Sequence, residues 1–456
     1  MEKTIAAIST PAGSGGIAVI RVSGSDAIAV VDKIFSGRDK LADAPSHTVH
    51  YGYIKNEKGE RIDEVLVTIM RAPKTFTRED VVEISTHGGQ SAPRAVMDAL
   101  IRAGVYQAEP GEFTKRAFLN GRIDLTQAEA VIDIINSTNE IARRTALSQL
   151  EGSLSVEIKE IRGELLHLAA GMQVIIDYPD EDLEDITTED IRDTAVKCKE
   201  KTDRLLQTAD SGKILREGIR IAICGKPNVG KSSLLNTLAR TERAIVTDIA
   251  GTTRDTIEEY ISLDGIPLIL IDTAGIRKTD DTVEQIGVEK SLESIDRADF
   301  VLVMIDGSSY FDDEDTEVLR ATRNKKRIVL INKTDLGQSK YIEAVRKKAA
   351  PSPIIEISAK KGTGLDLLGS EIKRLAGIGE ITASDGAVIT NMRHKTALIK
   401  ASAALERAAE AIDNGMPSDI ASIDINAAID ALGEITGETV SDGIVDAIFH
   451  DFCVGK

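Results

Sequence analysis

The chain contains the stretch Gly225-Lys226-Pro227-Asn228-Val229-Gly230-Lys231-Ser232, which has the pattern G-x-x-x-x-G-K-S of a phosphate-binding loop. Residues 219–224 before it are rich in β-branched side chains, which predicts a strand, and residues 233–238 after it predict a helix. A glycine-rich turn that opens a helix points backbone N–H groups at one spot and favours an anion there. We therefore expect Lys231 to contact the β- and γ-phosphates of a nucleotide and Ser232 to coordinate Mg²⁺.

A second predicted strand ends in a metal- and phosphate-binding motif. Residues 268–271 are apolar and are followed by Asp272-Thr273-Ala274-Gly275. Asp272 can hold the Mg²⁺ ion through a water molecule, and Gly275 can donate its N–H to a γ-phosphate. With this second motif present, the loop at 225–232 is more than a turn that joins a strand to a helix.

Two further strand ends supply groups that recognise a base. The strand at 327–331 leads into Asn332-Lys333-Thr334-Asp335, and the strand at 354–357 leads into Ser358-Ala359-Lys360, which is similar to the loop that closes over the base in GTPases. The carboxylate of Asp335 only accepts hydrogen bonds, so it suits the N1–H and N2 amine of guanine, whereas adenine presents neither donor there. Together the four motifs predict a GTP-binding domain.

Length and composition favour a cytoplasmic protein of several domains. With 456 residues, 42% of them hydrophobic and 29% charged, the chain is long enough for roughly three globular domains. No N-terminal signal sequence is visible, and no apolar run approaches the roughly 20 residues of a membrane span. The sparse cysteines Cys198, Cys224 and Cys453 favour a reducing compartment. We therefore expect a cytoplasmic location and no membrane partner.

The net charge of −18 limits how the chain can bind a nucleic acid. A protein that holds RNA alone over many phosphates is expected to carry a basic face. The sequence has short basic clusters, Arg143-Arg144 and Lys325-Lys326-Arg327, which we interpret as solvated surface. Any nucleic-acid substrate is therefore expected to be held jointly with a partner protein.

The order of predicted elements indicates a multidomain protein of mixed α/β and α class. Residues 1–118 are a mixed α/β domain, whose glycine-rich turn at 11–15 we interpret as structural because no Gly-Lys-Ser and no helix follow it. Residues 119–215 and 377–456 form one discontinuous helical domain. A doubly wound α/β GTPase domain, residues 216–376, is inserted into it, which is possible because the ends of such a domain lie close together.

Two local patterns support the helical assignment. Thr126-Gln127-Ala128-Glu129 has the form of a capping box, which predicts that a helix starts there. An apolar stripe follows at alternating three- and four-residue steps, made of Leu150, Leu154, Ile158, Ile161, Leu165 and Leu168. We expect this stripe to form the core of a helix bundle.

The combination resembles the tRNA modification GTPase MnmE (TrmE) family over the whole chain. Besides the GTPase motifs, the resemblance rests on residues 248–255, with the sequence Asp-Ile-Ala-Gly-Thr-Thr-Arg-Asp, and on two segments much more particular to the family, Phe118-Leu119-Asn120 and Cys453-Val454-Gly455-Lys456. It implies a homodimer built through an N-terminal domain similar to folate-binding one-carbon enzymes. It also implies a FAD-dependent partner, MnmG (GidA), with which carbon 5 of wobble uridine is modified in certain tRNAs, using 5-formyl- or methylene-tetrahydrofolate.

The resemblance further implies ligand roles at matching positions. Potassium ligands are implied at Asn228, Thr247, Ile249 and Thr252, and Mg²⁺ ligands at Ser232 and Thr253. Contacts with the folate are implied at Arg21, Glu83, Arg122 and Lys456. Together with the motifs, the residues expected at GTP and its ions are Gly225, Asn228, Val229, Gly230, Lys231, Ser232, Ser233, Thr247, Thr253, Asp272, Thr273, Ala274, Gly275, Asn332, Lys333, Asp335, Ser358, Ala359 and Lys360.

Hydrolysis needs a group that orients the attacking water, and many GTPases place a glutamine directly after Asp-x-x-Gly. Here that position is Ile276, which cannot form a hydrogen bond with water. We therefore expect a bound potassium ion to neutralise transition-state charge and Glu284, which follows the motif closely, to orient the water. The alternative for Glu284 is an ordinary glutamate at the start of a helix.

The last four residues, 453–456, are predicted to reach the folate-type pocket, with Cys453 beside the reacting carbon or the uridine. Its role as a nucleophile or as a proton donor stays open. Gly455 would let the backbone pass close to a ligand. The alternatives are a frayed terminus and a prenylation box, although glycine and a terminal lysine are poor residues in such a box.

One function is expected, with two alternatives. We expect potassium-dependent GTP hydrolysis coupled to tRNA modification. A GTP-controlled RNA- or ribosome-binding switch without tRNA chemistry is the first alternative, and such a switch would be expected to carry a basic RNA-binding appendix. In the second alternative the N-terminal domain serves only for dimerisation and binds no ligand.

Overall fold

A computed structural model describes residues 3–11, 13–137, 139–177, 187–241, 259–271, 294–337, 341–377, 387–450 and 452–455. The chain forms two compact units, one of Met1–Ile132 with Asp430–Lys456 and one of Asp133–Ile429. Residues 119–132 and 430–456, which are predicted to be helical, belong to the first unit. The predicted boundaries of three domains stay predictions. None of the described helices is long and apolar enough to cross a membrane.

Strands dominate the beginning of the chain and the GTPase region, and helices dominate the rest. The strands are β1 (Ile5–Ile8), β2 (Ile17–Ser23), β3 (Phe35–Gly37), β4 (Thr48–Lys55), β5 (Arg61–Met70), β6 (Val81–His87), β7 (Tyr106–Gln107), β8 (Ile219–Cys224), β9 (Glu259–Leu263), β10 (Ile266–Leu270), β11 (Phe300–Asp306), β12 (Arg327–Asn332) and β13 (Ile354–Glu356). The helices are α1 (Ala27–Ile34), α2 (Ser91–Arg102), α3 (Glu112–Leu119), α4 (Leu125–Asn136), α5 (Glu140–Leu150), α6 (Ser153–Asp177), α7 (Thr188–Gln207), α8 (Ala209–Glu217), α9 (Lys231–Thr241), α10 (Asp313–Ala321), α11 (Ile342–Ala349), α12 (Leu365–Ala376), α13 (Met392–Asp413), α14 (Ser418–Thr436) and α15 (Asp442–His450).

The first unit contains one sheet with the strand order β3-β4-β5-β6-β2-β1-β7, antiparallel apart from the parallel β1–β7 pair. Successive side chains of a strand point to opposite faces. Ile20 and Val22 of β2 are therefore fully buried in a core shared with α1 and α2, and Arg21 lies on the other face. The predicted mixed α/β class is confirmed, and the alternation keeps a charged side chain out of the core.

The second unit contains a sheet with the order β13-β12-β11-β8-β10-β9, parallel apart from β9. One face packs against α9 and α12 through Leu234 and Leu368, and the other packs against α10 and α11 through Leu319 and Val345. Helices on both faces of a mostly parallel sheet form the doubly wound fold that the sequence predicts. In such a sheet the carboxyl ends of the parallel strands share one edge, which brings together the residues after β8, β11, β12 and β13.

The predicted apolar stripe is the buried face of α6. Its members in that helix are at most 4% exposed: Leu154, Ile158, Ile161, Leu165 and Leu168. Leu150 is half-buried and ends α5, and Gly152, with a φ of 96°, separates the two helices. α6 packs on α7, which in turn packs on α13, so the stripe forms bundle core as predicted. It begins at Leu154 in α6, because Leu150 belongs to the preceding helix.

The predicted capping box at Thr126–Glu129 is wrong by two residues. Helix α4 begins at Leu125, and Asp124 Oδ1 accepts hydrogen bonds from Gln127 N (3.1 Å) and Thr126 Oγ1 (2.7 Å). In return, Gln127 Oε1 accepts a hydrogen bond from Asp124 N (3.0 Å). An aspartate accepts from the free N–H groups at a helix start as well as a threonine does, so Asp124 and Gln127 form the box and Thr126 lies in the first turn.

Candidate functional site

The phosphate loop leaves the carboxyl end of β8 and enters α9, as predicted. A Cβ atom at Gly225 would lie 2.4 Å from the carbonyl oxygen of Met304, and one at Gly230 would lie 2.3 Å from Asn332 Nδ2. Both glycines also have a positive φ, of 151° and 103°. Side chains at these two positions would push the loop away from the sheet, so the motif needs glycine for its shape.

Lys231, the first residue of α9, folds back across this loop. Its Nζ donates hydrogen bonds to the carbonyl oxygens of Gly225 (2.5 Å) and Lys226 (2.9 Å). Burial lowers the pKa of Lys231 from its ordinary value, because a charged amine loses water there. The cation is thus held over the turn where the motif predicts phosphate oxygens, which are better partners for an ammonium group than neutral carbonyls.

Asn332 ties the phosphate loop to the base-recognition loops. Its side chain is buried at the end of β12, where Nδ2 donates to Val229 O (2.7 Å) and Oδ1 accepts from Ala359 N (2.9 Å). The three segments it joins are far apart in the sequence. Asn332 therefore acts in this structure as a scaffold for the site, a role that the motif alone did not predict.

Asp335 and Ser358, both predicted at the base, are in contact. Ser358 Oγ donates a hydrogen bond to Asp335 Oδ1 (2.8 Å), and this bond holds the pKa of Asp335 below its ordinary value. Lys333 has a φ of 66° and its amine pairs with Asp306 at the end of β11 (2.6 Å). The carboxylate that is expected to recognise guanine is thereby oriented and kept ionised.

A second cation of the phosphate loop, Lys226, was not predicted to have a role. Its Nζ lies 2.7 Å from Asp312 Oδ2 and 2.8 Å from Asp315 Oδ2, and its side chain is 13% exposed. The two aspartates form the capping box of α10. Burial opposes the charge of Lys226, but the hydrogen bonds to both aspartates raise its pKa overall. The pattern Asp312-x-x-Asp315 could have predicted the start of α10 from the sequence. It could not have predicted that both aspartates pair with Lys226.

A separate group in the first unit contains three of the residues assigned to the folate. Arg21 and Glu83 are directly opposite each other in β2 and β6, and Glu83 Oε1 accepts from Arg21 Nε (3.0 Å) and Nη2 (2.8 Å). The guanidinium carbons of Arg21 and Arg122 lie 5.2 and 4.8 Å from the ring centre of Phe76. Arg21 Nη1 is buried and has no hydrogen-bond partner among the described residues. Phe76, which sequence reasoning missed, is thus the centre of the group.

The C-terminal tail is attached to the first unit. Gly455 O accepts from Ser9 Oγ (3.1 Å), Cys453 O accepts from Gly111 N (3.3 Å), and Val454 forms a bridge with Pro110. A Cβ at Gly455, where φ is 94°, would lie 2.8 Å from the Cα of Ser9. Among the described tail residues the alternative of a frayed end is therefore wrong. Cys453 is an exposed free thiol.

Comparison with known proteins assigns the chain to a family. The profile of the MnmE helical domain matches residues 125–453, and that of the GTP-binding protein TrmE N-terminus matches residues 4–122. The tRNA modification GTPase MnmE of Lactobacillus acidophilus is 51% identical over 99% of this chain and 98% of its own length. The chain belongs to the MnmE family. The MnmE of Acetivibrio thermocellus is 50% identical over 100% of this chain and 99% of its own length.

Membership of the MnmE family makes the chain a GTPase that acts in tRNA modification, which disfavours the alternative of a switch without tRNA chemistry. Among solved structures, the chain is similar to a variant of Era from Aquifex aeolicus bound to GDP and aluminium fluoride. That similarity has 33% identity, covers 41% of this chain and 66% of the Era chain, and has a TM-score of 0.29.

Part of the MnmE-type site lies outside the described residues, so the roles expected there stay predictions. These positions are Thr247, Ile249, Thr252, Thr253, Asp272, Thr273, Ala274, Gly275, Glu284 and Lys456.

Proposed function

We propose that the protein hydrolyses GTP with the help of potassium and, together with the FAD-dependent protein MnmG (GidA), modifies carbon 5 of wobble uridine in certain tRNAs. A tetrahydrofolate, as the 5-formyl or methylene form, supplies the one-carbon unit. The protein acts as a homodimer in the cytoplasm. The observation that carries this proposal is the group of Arg21, Glu83 and Arg122 around Phe76, in the same unit as the docked tail.

The residues of this group fit a folate. Arg21 keeps Nη1 as a buried donor without a partner among the described residues, so an acceptor of the ligand would satisfy it. Phe76 offers an aromatic surface, and Arg122, whose Nη1 donates to Phe76 O (3.1 Å), adds positive charge for the carboxylates of a folate. Lys456 is proposed as the fourth contact. The alternative of a domain that only dimerises leaves the orphaned donor of Arg21 unexplained.

Asn228 supports the proposal of a potassium site. It is exposed in the phosphate loop with a φ of 61°, a conformation that asparagine adopts more readily than most residues. Its side-chain oxygen is a suitable ligand for a monovalent cation, and the further proposed ligands are Thr247, Ile249 and Thr252. A bound potassium ion supplies positive charge where negative charge develops on the phosphates.

The potassium proposal is tested by GTP turnover in potassium and in sodium at equal ionic strength. We expect turnover to be faster in potassium, and Asn228→Ala should reduce the difference while GDP affinity stays within a few-fold. Equal turnover in the two salts would contradict the proposal.

Two further roles complete the proposed GTPase site. Ser232, in the first turn of α9, and Thr253 are proposed to hold Mg²⁺. Glu284 is proposed to orient the attacking water. Turnover by Glu284→Ala should fall roughly 10²-fold, the scale of a lost positioning or general-base group. GTP affinity should barely change, and a parallel loss of affinity and turnover would indicate misfolding.

The docked tail supports a role for Cys453 in the tRNA chemistry, as nucleophile or proton donor. The variant Cys453→Ser should keep GTP hydrolysis nearly intact and lose modified wobble uridine, because the two sites lie in different units. The measurement is the nucleoside composition of tRNA from cells in which this variant replaces the native protein. Normal tRNA modification would remove Cys453 from the mechanism.

The outer face of the first sheet supports the proposed homodimer. Tyr51 of β4 and Leu66 of β5 are directly opposite each other and are 56% and 48% exposed, and Val49 nearby is 59% exposed. Such a patch of large apolar side chains fits a second copy of the chain. The double variant Tyr51→Lys/Leu66→Lys should sediment as a monomer, and an unchanged dimer would place the interface elsewhere.

A further inference from the structure

A group of cationic side chains lies where α10 and α11 end. The group, here called the basic edge, consists of Arg320, Arg323, Lys325, Lys326 and Arg346. Lys347 and Lys348 are not part of it, because they line a cavity with Asp312 and Asp313 at the start of α10. α10 leads into β12 and α11 leads into β13, and both strands run parallel to β8. The basic edge therefore lies at the amino ends of these strands, opposite the phosphate loop.

Most of these charges form no ion pair in the described part of the chain. None is formed there by Arg320, Arg323 or Arg346. Lys325 donates to the carbonyl oxygen of Asp296 (2.7 Å), and its nearest carboxylate, also of Asp296, is 3.9 Å away. Lys326 lies over the ring of Phe300, 5.6 Å from its centre. The charge of Lys326 also acts on Asp210. The arginines without an ion pair at the two helix ends still make a local positive potential in a chain of net charge −18, and such a potential attracts a polyanion.

A buried arginine fixes the framework below the basic edge. The interpretation of Arg327 as solvated surface is wrong, because this residue is 6% exposed. Its guanidinium donates to Leu319 O and Thr322 Oγ1 (3.0 Å) at the end of α10. It also donates to the carbonyl oxygen of Ala349 (3.4 Å), the last residue of α11, and to Ser352 Oγ (2.8 Å), three residues further on. The two helix ends are thus joined through one rigid side chain. The spacing of the charges above them is set by the fold.

Helix dipoles explain only part of the arrangement. The dipole of a helix favours cations in its last turn, which accounts for Arg320 in α10 and for Arg346 in α11. Arg323, Lys325 and Lys326 lie beyond the end of α10, which is capped at Thr322, so the dipole gives no reason for them. Helix stability alone would also allow acidic partners between these cations.

We propose that the basic edge binds the phosphate backbone of the tRNA substrate. The proposal rests on the tRNA modification that is common to the MnmE family and not on the folate chemistry proposed above. Phosphates supply negative charge that can neutralise the cations of the basic edge. Arginine and lysine side chains are the groups that most often contact them. The tRNA would then be held on the side of the GTPase sheet away from the nucleotide, so GTP and tRNA can be bound at the same time.

The test measures tRNA binding by the full-length chain at several salt concentrations. The variant Arg320→Gln/Arg323→Gln/Lys326→Gln/Arg346→Gln should bind tRNA at least about 10-fold more weakly at 0.1 M salt, and its log–log salt slope should be smaller by about 3, since each lost phosphate contact removes roughly 0.7–0.9. The matched control neutralises exposed cations of the first unit, Arg38→Gln/Lys40→Gln/Lys58→Gln/Arg94→Gln, which changes the net charge equally. Control binding should stay within about 3-fold of the native chain, with an unchanged slope.

Folding of both variants is checked by GDP affinity and thermal unfolding, because the nucleotide binds at the opposite edge of the sheet. If the fourfold variant is destabilised, Arg323→Gln/Lys326→Gln alone should reduce the slope by about half as much. Equal losses in the basic-edge and control variants would overturn the proposal, since net charge alone would then explain binding. Unchanged tRNA binding with loss of a protein partner would also overturn it, because the edge would then be a protein-binding surface.

Discussion

The nucleotide edge of the GTPase sheet and the Arg21 group of the first unit are assembled in different ways. At the nucleotide edge each motif is a short continuous stretch that directly follows a strand, and the parallel sheet brings the strand ends together. The Arg21 group combines residues from β2, β6 and the segment after α3, joined by antiparallel register and by one aromatic ring. A site built from continuous motifs can be recognised from the residues of one sequence, whereas a site built from register is assigned only through resemblance to a family.

The largest effect is expected at the base-recognition end of the nucleotide edge. Asp335→Ala removes two hydrogen bonds between a charged group and guanine, each worth roughly 1.5–3 kcal/mol, so GTP affinity should fall about 10²- to 10⁴-fold. The measurement is titration with a fluorescent GDP analogue. Folate binding by the same variant is the control and should be unchanged. A loss of folate binding would show that the two sites are not independent.

An intermediate effect is expected in the Arg21 group. Arg21→Met keeps much of the side-chain volume but removes the hydrogen bonds to Glu83 and the unpartnered donor. Affinity for 5-formyltetrahydrofolate, measured by calorimetry, should fall about 10- to 10²-fold, while GTP hydrolysis stays normal. Arg102→Met is the matched control, because the side chain of Arg102 is 67% exposed and its contact with Glu57 is loose, with 3.8 Å between Nη1 and Oε2. Equal folate affinity in the two variants would show that Arg21 does not bind the folate.

The smallest effect is expected for Ser358→Ala. The variant loses the hydrogen bond that lowers the pKa of Asp335, so that pKa should rise towards its ordinary value. Asp335 stays ionised at pH 7 in either case, and GTP affinity there should change only a few-fold.

The lowered pKa of Asp335 fixes the direction in which Ser358→Ala should shift the pH dependence of GDP binding. A lowered pKa in the folded state contributes stability that is present above the unfolded value and is lost as the pH falls through the folded value. GDP affinity follows the same direction, because protonation of Asp335 weakens it as an acceptor for guanine. Since the pKa of Asp335 is higher in Ser358→Ala, this variant should lose GDP affinity at a higher pH than the native chain on acidification. Identical acid profiles would mean that Ser358 does not control the ionisation of Asp335.

The comparison also explains what the sequence could predict. The strand, turn and helix around Gly225 and Gly230 were predictable, because each residue type is required by local backbone geometry. The bridging role of Asn332 and the ion pairs of Lys226 were not, since their partners come from other strands and helices. The misplaced cap at Asp124 has another cause, because aspartate and threonine both accept from a helix N-terminus and two overlapping boxes compete.

The hydrogen bond between Ser9 and Gly455 joins two segments that are 446 residues apart in the sequence. Helix α15 likewise packs on α3, with Lys115 paired to Asp446 (2.5 Å) and the rings of Phe118 and Phe449 6.3 Å apart. During synthesis the ribosome releases the beginning of the chain long before these partners exist. The first unit can therefore complete its packing only when residues 430–456 emerge, after the GTPase region has already been made.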